Sequence, residues 1–552
     1  MRKMKKFFTL AVTSVMLSTQ LAGCGGSNSA PGSTSGGTQT PPQTSTQASS
    51  GTEAASSGGS TLRNHLRVGI NADIADLAPY SAGGNGRNSV MYAMYEYLGV
   101  LEYVGGEVVG QIMKEWSTED GMSYDIEIYD YVHDTDNNPI TADDIIFSFE
   151  KAKEKGNNTN TKRIISIEKT GDYSVHLVIN ANYVGGFSAV LGAVPIVAEA
   201  AYNASADEMA MTPVGTAPYK VVEFVPGSSL TLERTDNYWQ RDESARTIYA
   251  VANPKTITYN TIKEASQMAI ALETGTIDLG LSMDAMEATR FMDGGGSSAG
   301  FTVFQEVTNI GNVMFLSGDA NGVFYDNPAL RQAVLYAIDK QGLVNGVLQG
   351  YGLTQYTFGA ESFGDFNEKW KSEDYYNYNP EKAKELLTES GIAAGSLNLR
   401  IMTDNSAQRN KVAQIIQGYL SAIGIRSEIL QYDSALFNSY KTEPTEWDIC
   451  LDNSGASDYV VSLWRSKFDA RQFTLGTTNG WNDPHLQELL EQALSFDGHT
   501  QEDVDAFHYY FKEQAYAMGL FNHTFFTVAN DDIKNINYDG KMFVICTSVE
   551  IE

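Results

Sequence analysis

The chain has 552 residues, 42% hydrophobic and 19% charged, which is room for two or more ordinary globular domains. Its 38 Lys and Arg stand against 68 Asp and Glu, a formal charge of −30 that repels phosphate backbones and excludes nucleic acid as a partner. Three cysteines exclude a disulfide scaffold. Seven scattered histidines, without CxxC or HExxH, exclude a structural zinc or zincin site, and no metal or other cofactor is expected.

At the start, Arg2, Lys3, Lys5 and Lys6 precede an apolar run from Phe7 to Leu17. That run is too short for a permanent membrane span and fits the core of a secretory signal. It leads to Leu21-Ala22-Gly23-Cys24, which resembles the lipobox of bacterial lipoproteins. The resemblance implies removal of residues 1–23, acylation of Cys24, and attachment to the membrane through acyl chains alone. Losing the four bases takes the charge from −30 to −34. Gly25 to Ser60 is Gly, Ser, Thr, Pro, Gln, Asn and Ala with one charge, Glu53. Such a segment cannot bury enough apolar surface to fold, so residues 24–65 are expected to form a tether with a reach of about 30–35 Å. No later stretch reaches 18 uninterrupted apolar residues, and the folded body is expected from Leu66 onward.

Along that body, residues 121–132 and 172–180 alternate polar and apolar residues, as antiparallel strands do. Asp134-Thr-Asp-Asn-Asn138 has Pro139 and Ile145 where a calcium loop needs Gly and Glu, so calcium is rejected there. Thr141-Ala-Asp-Asp144 opens a helix ahead of Ile145–Phe149. Gly227-Ser228 reads as a hairpin turn between Val222 and Leu232. Three further helix starts, Asn327-Pro328, Asn379-Pro380 and Asp483-Pro484, each place a capping side chain before a proline whose missing N–H costs nothing. After the first, Leu330, Val334 and Ile338 should form one buried stripe, and Gly391 should stop the second. Strand Leu397–Met402, helix Ala407–Ile423, strand Ile425–Tyr432 and strand Trp447–Leu451 predict parallel pairing with right-handed crossovers. The fold class is therefore α/β in more than one lobe, with no evident internal repeat.

At Pro213-Val-Gly-Thr-Ala-Pro-Tyr-Lys220 the chain resembles the family 5 solute-binding proteins of ATP-driven (ABC) importers, the oligopeptide/dipeptide class. The match continues through Pro226–Arg234 to Asn237-Tyr-Trp239, with Ala217 where the family usually has glycine. Tyr95–Leu98, Trp116-Ser117 with Asp120-Gly121, Asn138–Ile145, Gly275–Asp278, Arg331-Gln-Ala333 with Ala337–Asp339, and Tyr378–Ala383 follow in family order. The turn-forming residues of the Pro213–Trp239 block read as scaffold and identify the fold, not the ligand. The resemblance implies two lobes clamping a solute, lobe I over 66–308 and 521–552 with an extra subdomain near 100–205, and lobe II over 309–520. The hinge would lie near Val307–Gly311 and near Leu520.

Peptide-binding relatives pair an aspartate with the peptide ammonium, and the matching place here is Asp458-Tyr459, where Gly455 replaces the usual Trp. Gly83-Gly84-Asn85 falls where relatives present backbone to an extended ligand. Cys450 and Cys546 read as buried thiols, one in each lobe. The resemblance thus implies a monomeric, lipid-anchored extracytoplasmic receptor that passes a small solute, by default a short peptide, to a membrane permease driven by a cytoplasmic ATPase. An oligosaccharide or other solute, a peptide-signal sensor, and a surface hydrolase are the alternatives; no G-x-S-x-G or HExxH supports the last.

Overall fold

The structure is a computed structural model and describes residues 64–552 apart from 103–105, 294–295, 456, 472–478, 497 and 541. The signal segment, Cys24 and the tether lie outside the described residues.

In chain order, β1 (His65–Ile70) is followed by α1 (Asn85–Met94), β2 (Met113–Thr118), β3 (Ser123–Ile128) and α2 (Ala142–Lys155). Next come β4 (Ile164–Gly171), β5 (Ser174–Ile179), β6 (Tyr219–Val225), β7 (Ser229–Arg234), β8 (Thr256–Thr261), α3 (Ala265–Glu273) and β9 (Leu279–Met283). The long strand β10 (Phe301–Leu316) leads to α4 (Pro328–Tyr336), β11 (Gly352–Thr354) and α5 (Pro380–Glu389). The remaining elements used below are β12 (Asn398–Asp404), α6 (Ala407–Ala422), β13 (Arg426–Tyr432), β14 (Ile449–Asn453), α7 (Val460–Phe468), α8 (Pro484–Leu494) and β15 (Ala517–Asn530).

One eleven-stranded sheet runs in the order β13-β12-β14-β10-β15-β9-β1-β8-β7-β6, with β11 also on β15. β12 is parallel to both β13 and β14, as the strand–helix–strand spacing requires. At the other end β1 is parallel to both β8 and β9, so the two ends repeat one arrangement that the sequence does not reveal. A separate four-stranded sheet, β2-β3-β5-β4, pairs the two alternating segments antiparallel.

Two large hydrophobic cores flank the middle of the sheet. One draws on residues from Val313 to Phe521, the other on Leu66 to Leu281 and Ala529 to Val549. β10 and β15 pair antiparallel and pass from one core to the other, with register shifts between Val307 and Gly311 and between Asn312 and Val313. Gly311 and Gly519 flank the Gln355 side chain there: a Cβ at either would stand 1.9 Å from its Nε2 or 1.8 Å from its Oε1. Gln355 Nε2 donates to Asn522 Oδ1 at 2.9 Å, and Asn522 Nδ2 to Thr308 O at 2.8 Å, so buried amides staple the crossing.

The local signals have direct physical counterparts. Asn327, Asn379 and Asp483 each accept a backbone N–H in the first turn of α4, α5 and α8. Thr141 and Asp144 form a reciprocal capping box on α2. Leu330, Val334 and Ile338 are fully buried, although α4 itself ends at Tyr336. Gly391 follows α5 with φ +76°. Gly227 (φ +71°) and the Ser228 N–H to Val225 O bond of 2.9 Å turn β6 into β7. Cys450 and Cys546 are buried free thiols. Among the described residues, no helix is long and apolar enough to cross a membrane.

Candidate functional site

The Pro213–Trp239 block packs onto the end of α1. A Cβ at Gly215 would stand 2.1 Å from Met94 O, so the chain approaches there as only glycine allows. Glu96, buried next to it, accepts from Tyr238 Oη at 2.5 Å and from Trp239 Nε1 at 2.7 Å. Burial pushes the Glu96 carboxyl up to about 7, while the two hydrogen bonds pull it down. The block is thus a clamp between neighbouring segments of one core.

A cleft opens beside it, in two adjoining compartments of about 300 and 280 Å³. Tyr92, Asn158, Gly192 and Asp539 line both and make them continuous. Gly83 lines the first, with Tyr80, Arg87 and Asn88. Gly84 is the extended N-cap of α1 and a Cβ there would meet nothing within 4 Å, so both glycines expose their backbone. The glycine of this loop that packing demands is Gly86, whose Cβ would meet Asp73 O at 2.4 Å. Asn85 is the first residue of α1.

Asp458 lines the second compartment with Arg163, Tyr183 and Arg465. Its own carbonyl accepts from Gly364 N–H at 3.0 Å. The N–H groups of Val460 and Val461, in the buried first turn of α7, are taken by the buried Asp365 carboxylate, the second at 3.1 Å. Asp365, remote in sequence, therefore fixes the turn that carries Asp458. Tyr459 lines neither compartment; its ring packs at the place a Cβ of Gly185 would occupy, 3.3 Å away. The sequence reading thus brings Gly83 and Asp458 to one cleft and leaves Tyr459 on its rim.

Contacts across this rim join the two cores. Ser462 Oγ donates to Val184 O at 2.7 Å, and Val184 N–H to Leu494 O at 3.3 Å. Burial, followed by the Asp539 and Asp458 charges, pushes the Tyr92 phenol up. Tyr92, Arg163, Tyr183, Arg465 and Asp539 were not singled out by the sequence, because single aromatic and charged residues carry no spacing signal. Among the described residues no group of three or more His, Cys, Asp or Glu is placed to hold a metal ion.

Two cores that share a polar compartment are the layout of a solute-binding protein. Residues 107–470 match the bacterial extracellular solute-binding proteins, family 5, over that family's middle region, and the chain belongs to this family. It is 21% identical to the dipeptide-binding protein of Escherichia coli over 72% of this chain and 77% of the relative. It is 23% identical to heme-binding protein A of Haemophilus influenzae over 89% of this chain and 88% of the relative. The solved oligopeptide-binding protein AppA of Bacillus subtilis, in complex with a nonapeptide, superposes with a TM-score of 0.67 at 17% identity, covering 88% of this chain and 99% of that one. The fold is accordingly the two-lobe α/β fold of that class.

Proposed function

We propose that this chain is the extracytoplasmic receptor of an ABC importer: it encloses a short peptide between its lobes and releases it, unaltered, to a membrane permease. The observation that supports this reading is the continuous cleft with Gly83 on one compartment and Asp458 on the adjoining one, the pairing an extended peptide with a free ammonium needs. Lobe I takes residues 66–308 and 521–552 with its extra subdomain near 100–205, and lobe II takes 309–520. The separate cores support this division. The crossing strands near Val307–Gly311 and Leu520 serve as the hinge, and closure is a shift toward the form in which both lobes touch the solute. Cys24 carries the lipid that keeps the receptor beside its permease.

A porphyrin is the other occupant suggested by a relative's name. The lining disfavours it: Asn88, Asn157, Asn158, Arg163, Asp458 and Arg465 are polar, and no histidine lines either compartment among the described residues.

Mass spectrometry of the solute released from gently isolated protein tests the reading, with calorimetric titration of di- to pentapeptides. A peptide recovered intact supports it. A solute of another class, or one that emerges chemically changed, overturns it. Cys24→Ala should release the protein from cell membranes into the soluble fraction.

A further inference from the structure

The two lobes also touch outside the cleft. Phe496, just beyond the end of α8, lays its ring on the turn between β2 and β3. A Cβ at Gly121, where φ is +66°, would stand 2.5–2.8 Å from three of its ring atoms. That seat is stiff. Asp120 Oδ1 accepts from the N–H groups of Met122 at 2.8 Å and Ser123 at 2.6 Å, and Thr118 Oγ1 from Gly121 N–H at 3.0 Å. Tyr124 Oη donates to Gly121 O at 2.9 Å, and the Tyr124 ring stacks on Phe187 with centroids 3.8 Å apart. Three residues before Phe187, Val184 has both backbone groups bonded across the boundary, its N–H to Leu494 O and its carbonyl to Ser462 Oγ. On the other side the loop after α8 is tied back, because His499 Nδ1 donates to Ala493 O at 2.8 Å. Tyr124 and Phe187 belong to one large core and Leu494 to the other.

Gly121, Val184, Leu494 and Phe496 line neither compartment of the cleft. Their contacts involve neither β10 nor β15, so a swing of one lobe about the crossing breaks them. The Phe496 ring is 37% exposed even when seated, and opening would bare the rest of it. Apolar burial at this place therefore favours the closed form with no contribution from a solute. Apparent affinity then rises with the fraction of the chain that is already closed. Glycine at 121 serves both needs, a positive φ for the turn and room for the ring.

We propose that Phe496 seated on Gly121, together with the Val184 bridge, is a latch: it draws the lobes shut whatever solute lies between them, and so sets affinity from outside the cleft. This rests on the solute-receptor reading and adds to it a part that lines no portion of the cleft.

The test pairs small-angle X-ray scattering of protein freed of solute by dialysis with calorimetric titration of tri-alanine and penta-alanine. Phe496→Ala should enlarge the radius of gyration and weaken both peptides by one common factor, about threefold to tenfold. Phe496→Leu, which keeps an apolar contact, should recover most of the loss. Gly121→Ala pushes the ring away from the opposite lobe and should act in the same direction, and adding it to Phe496→Ala should cost no further affinity. If Phe496→Ala weakens one peptide far more than the other, the ring contacts solute and the latch is overturned. A radius and two affinities that stay at wild-type values overturn it as well. If neither peptide binds the wild type, the peptide reading falls and scattering alone decides the latch: a larger radius in Phe496→Ala upholds it, an unchanged one ends it. Unfolding midpoints monitor the fold, and the two Phe496 variants report even if Gly121→Ala is destabilised at its turn.

Discussion

Arg67 grips Asp278 three times over: its backbone N–H and Nε both reach Oδ2 at 2.9 Å, and its Nη2 reaches Oδ1 at 2.5 Å. In the other half of the sheet Arg400 grips Asp448 in the same pattern, at 2.7, 3.2 and 3.0 Å. In each case Nη1 also donates to a carbonyl three residues before the aspartate, Gly275 or Thr445. Each aspartate leads a strand that runs parallel to the arginine's own strand, so the pair sets the register of the edge facing the crossing. The Asp278 carboxylate is buried, that of Asp448 partly so, and both arginines are about one-third exposed. Asp278→Asn and Asp448→Asn should each cost about 2 kcal/mol, the worth of a hydrogen bond to a charged group. Urea unfolding checks this, and an unchanged midpoint would remove the pairs from the account of stability.

The crossing makes a sharper demand. At Gly311 the three atoms nearest an added Cβ all belong to the Gln355 amide, whereas at Gly519 Thr357 O also stands 2.4 Å away. Gly311→Ala and Gly519→Ala should each destabilise by about 1–3 kcal/mol through overpacking. Adding Gln355→Ala should restore most of the loss in Gly311→Ala and little in Gly519→Ala, because backbone cannot step aside. Equal rescue of both would show that the amide is not the obstacle.

Glu96 gives a pH signature whose sign is fixed. Its native pKa of about 7 stands above the ordinary carboxyl value of 4.5, with burial as the cause. The native chain keeps a proton that the unfolded chain loses, so this contribution is full below pH 4.5 and is lost as pH rises through 7. His508 and His523, held down to about 3 and 4 by burial, act the other way below pH 6.5. The difference between wild type and Glu96→Gln isolates the first effect. It should change by an amount on the order of 3 kcal/mol between pH 4.5 and 8. A difference independent of pH would mean that Glu96 titrates normally.

Much of this architecture was legible because its determinants are local. Asn-Pro and Asp-Pro caps, Gly391 and the alternation in 121–132 act through neighbours a few residues away, and the sequence carries them as spacing. The repeated Arg–Asp grips were not legible: Arg67 and Asp278 are 211 residues apart, and only parallel pairing brings them together. The cleft was half legible. Gly83 and Asp458 came from family motifs, whereas Arg163 and Arg465, 302 residues apart, meet only where both cores pack against the Tyr183 ring. Asp365 was invisible for the same reason, lying 95 residues from the helix end it caps.

That cap bears on ligand capture. If Asp458 pairs with a buried peptide ammonium, Asp458→Ala should weaken binding of peptides by about 2–5 kcal/mol. N-acetylation of the peptide should produce a similar loss in the wild type and no further loss in the variant. Asp365 lines neither compartment, yet its carboxylate takes both leading N–H groups of α7 and so holds the Asp458 turn in place. Asp365→Ala leaves those donors unsatisfied and should cost about 1 kcal/mol or more in stability. It should also narrow the gap in affinity between free and acetylated peptides, because a loosened turn pairs less well with the ammonium. Asp365→Asn, which keeps one acceptor oxygen, should recover part of that gap. If Asp365→Ala lowers the unfolding midpoint but leaves the gap intact, its role is confined to the helix, and the aim of Asp458 does not depend on the cap.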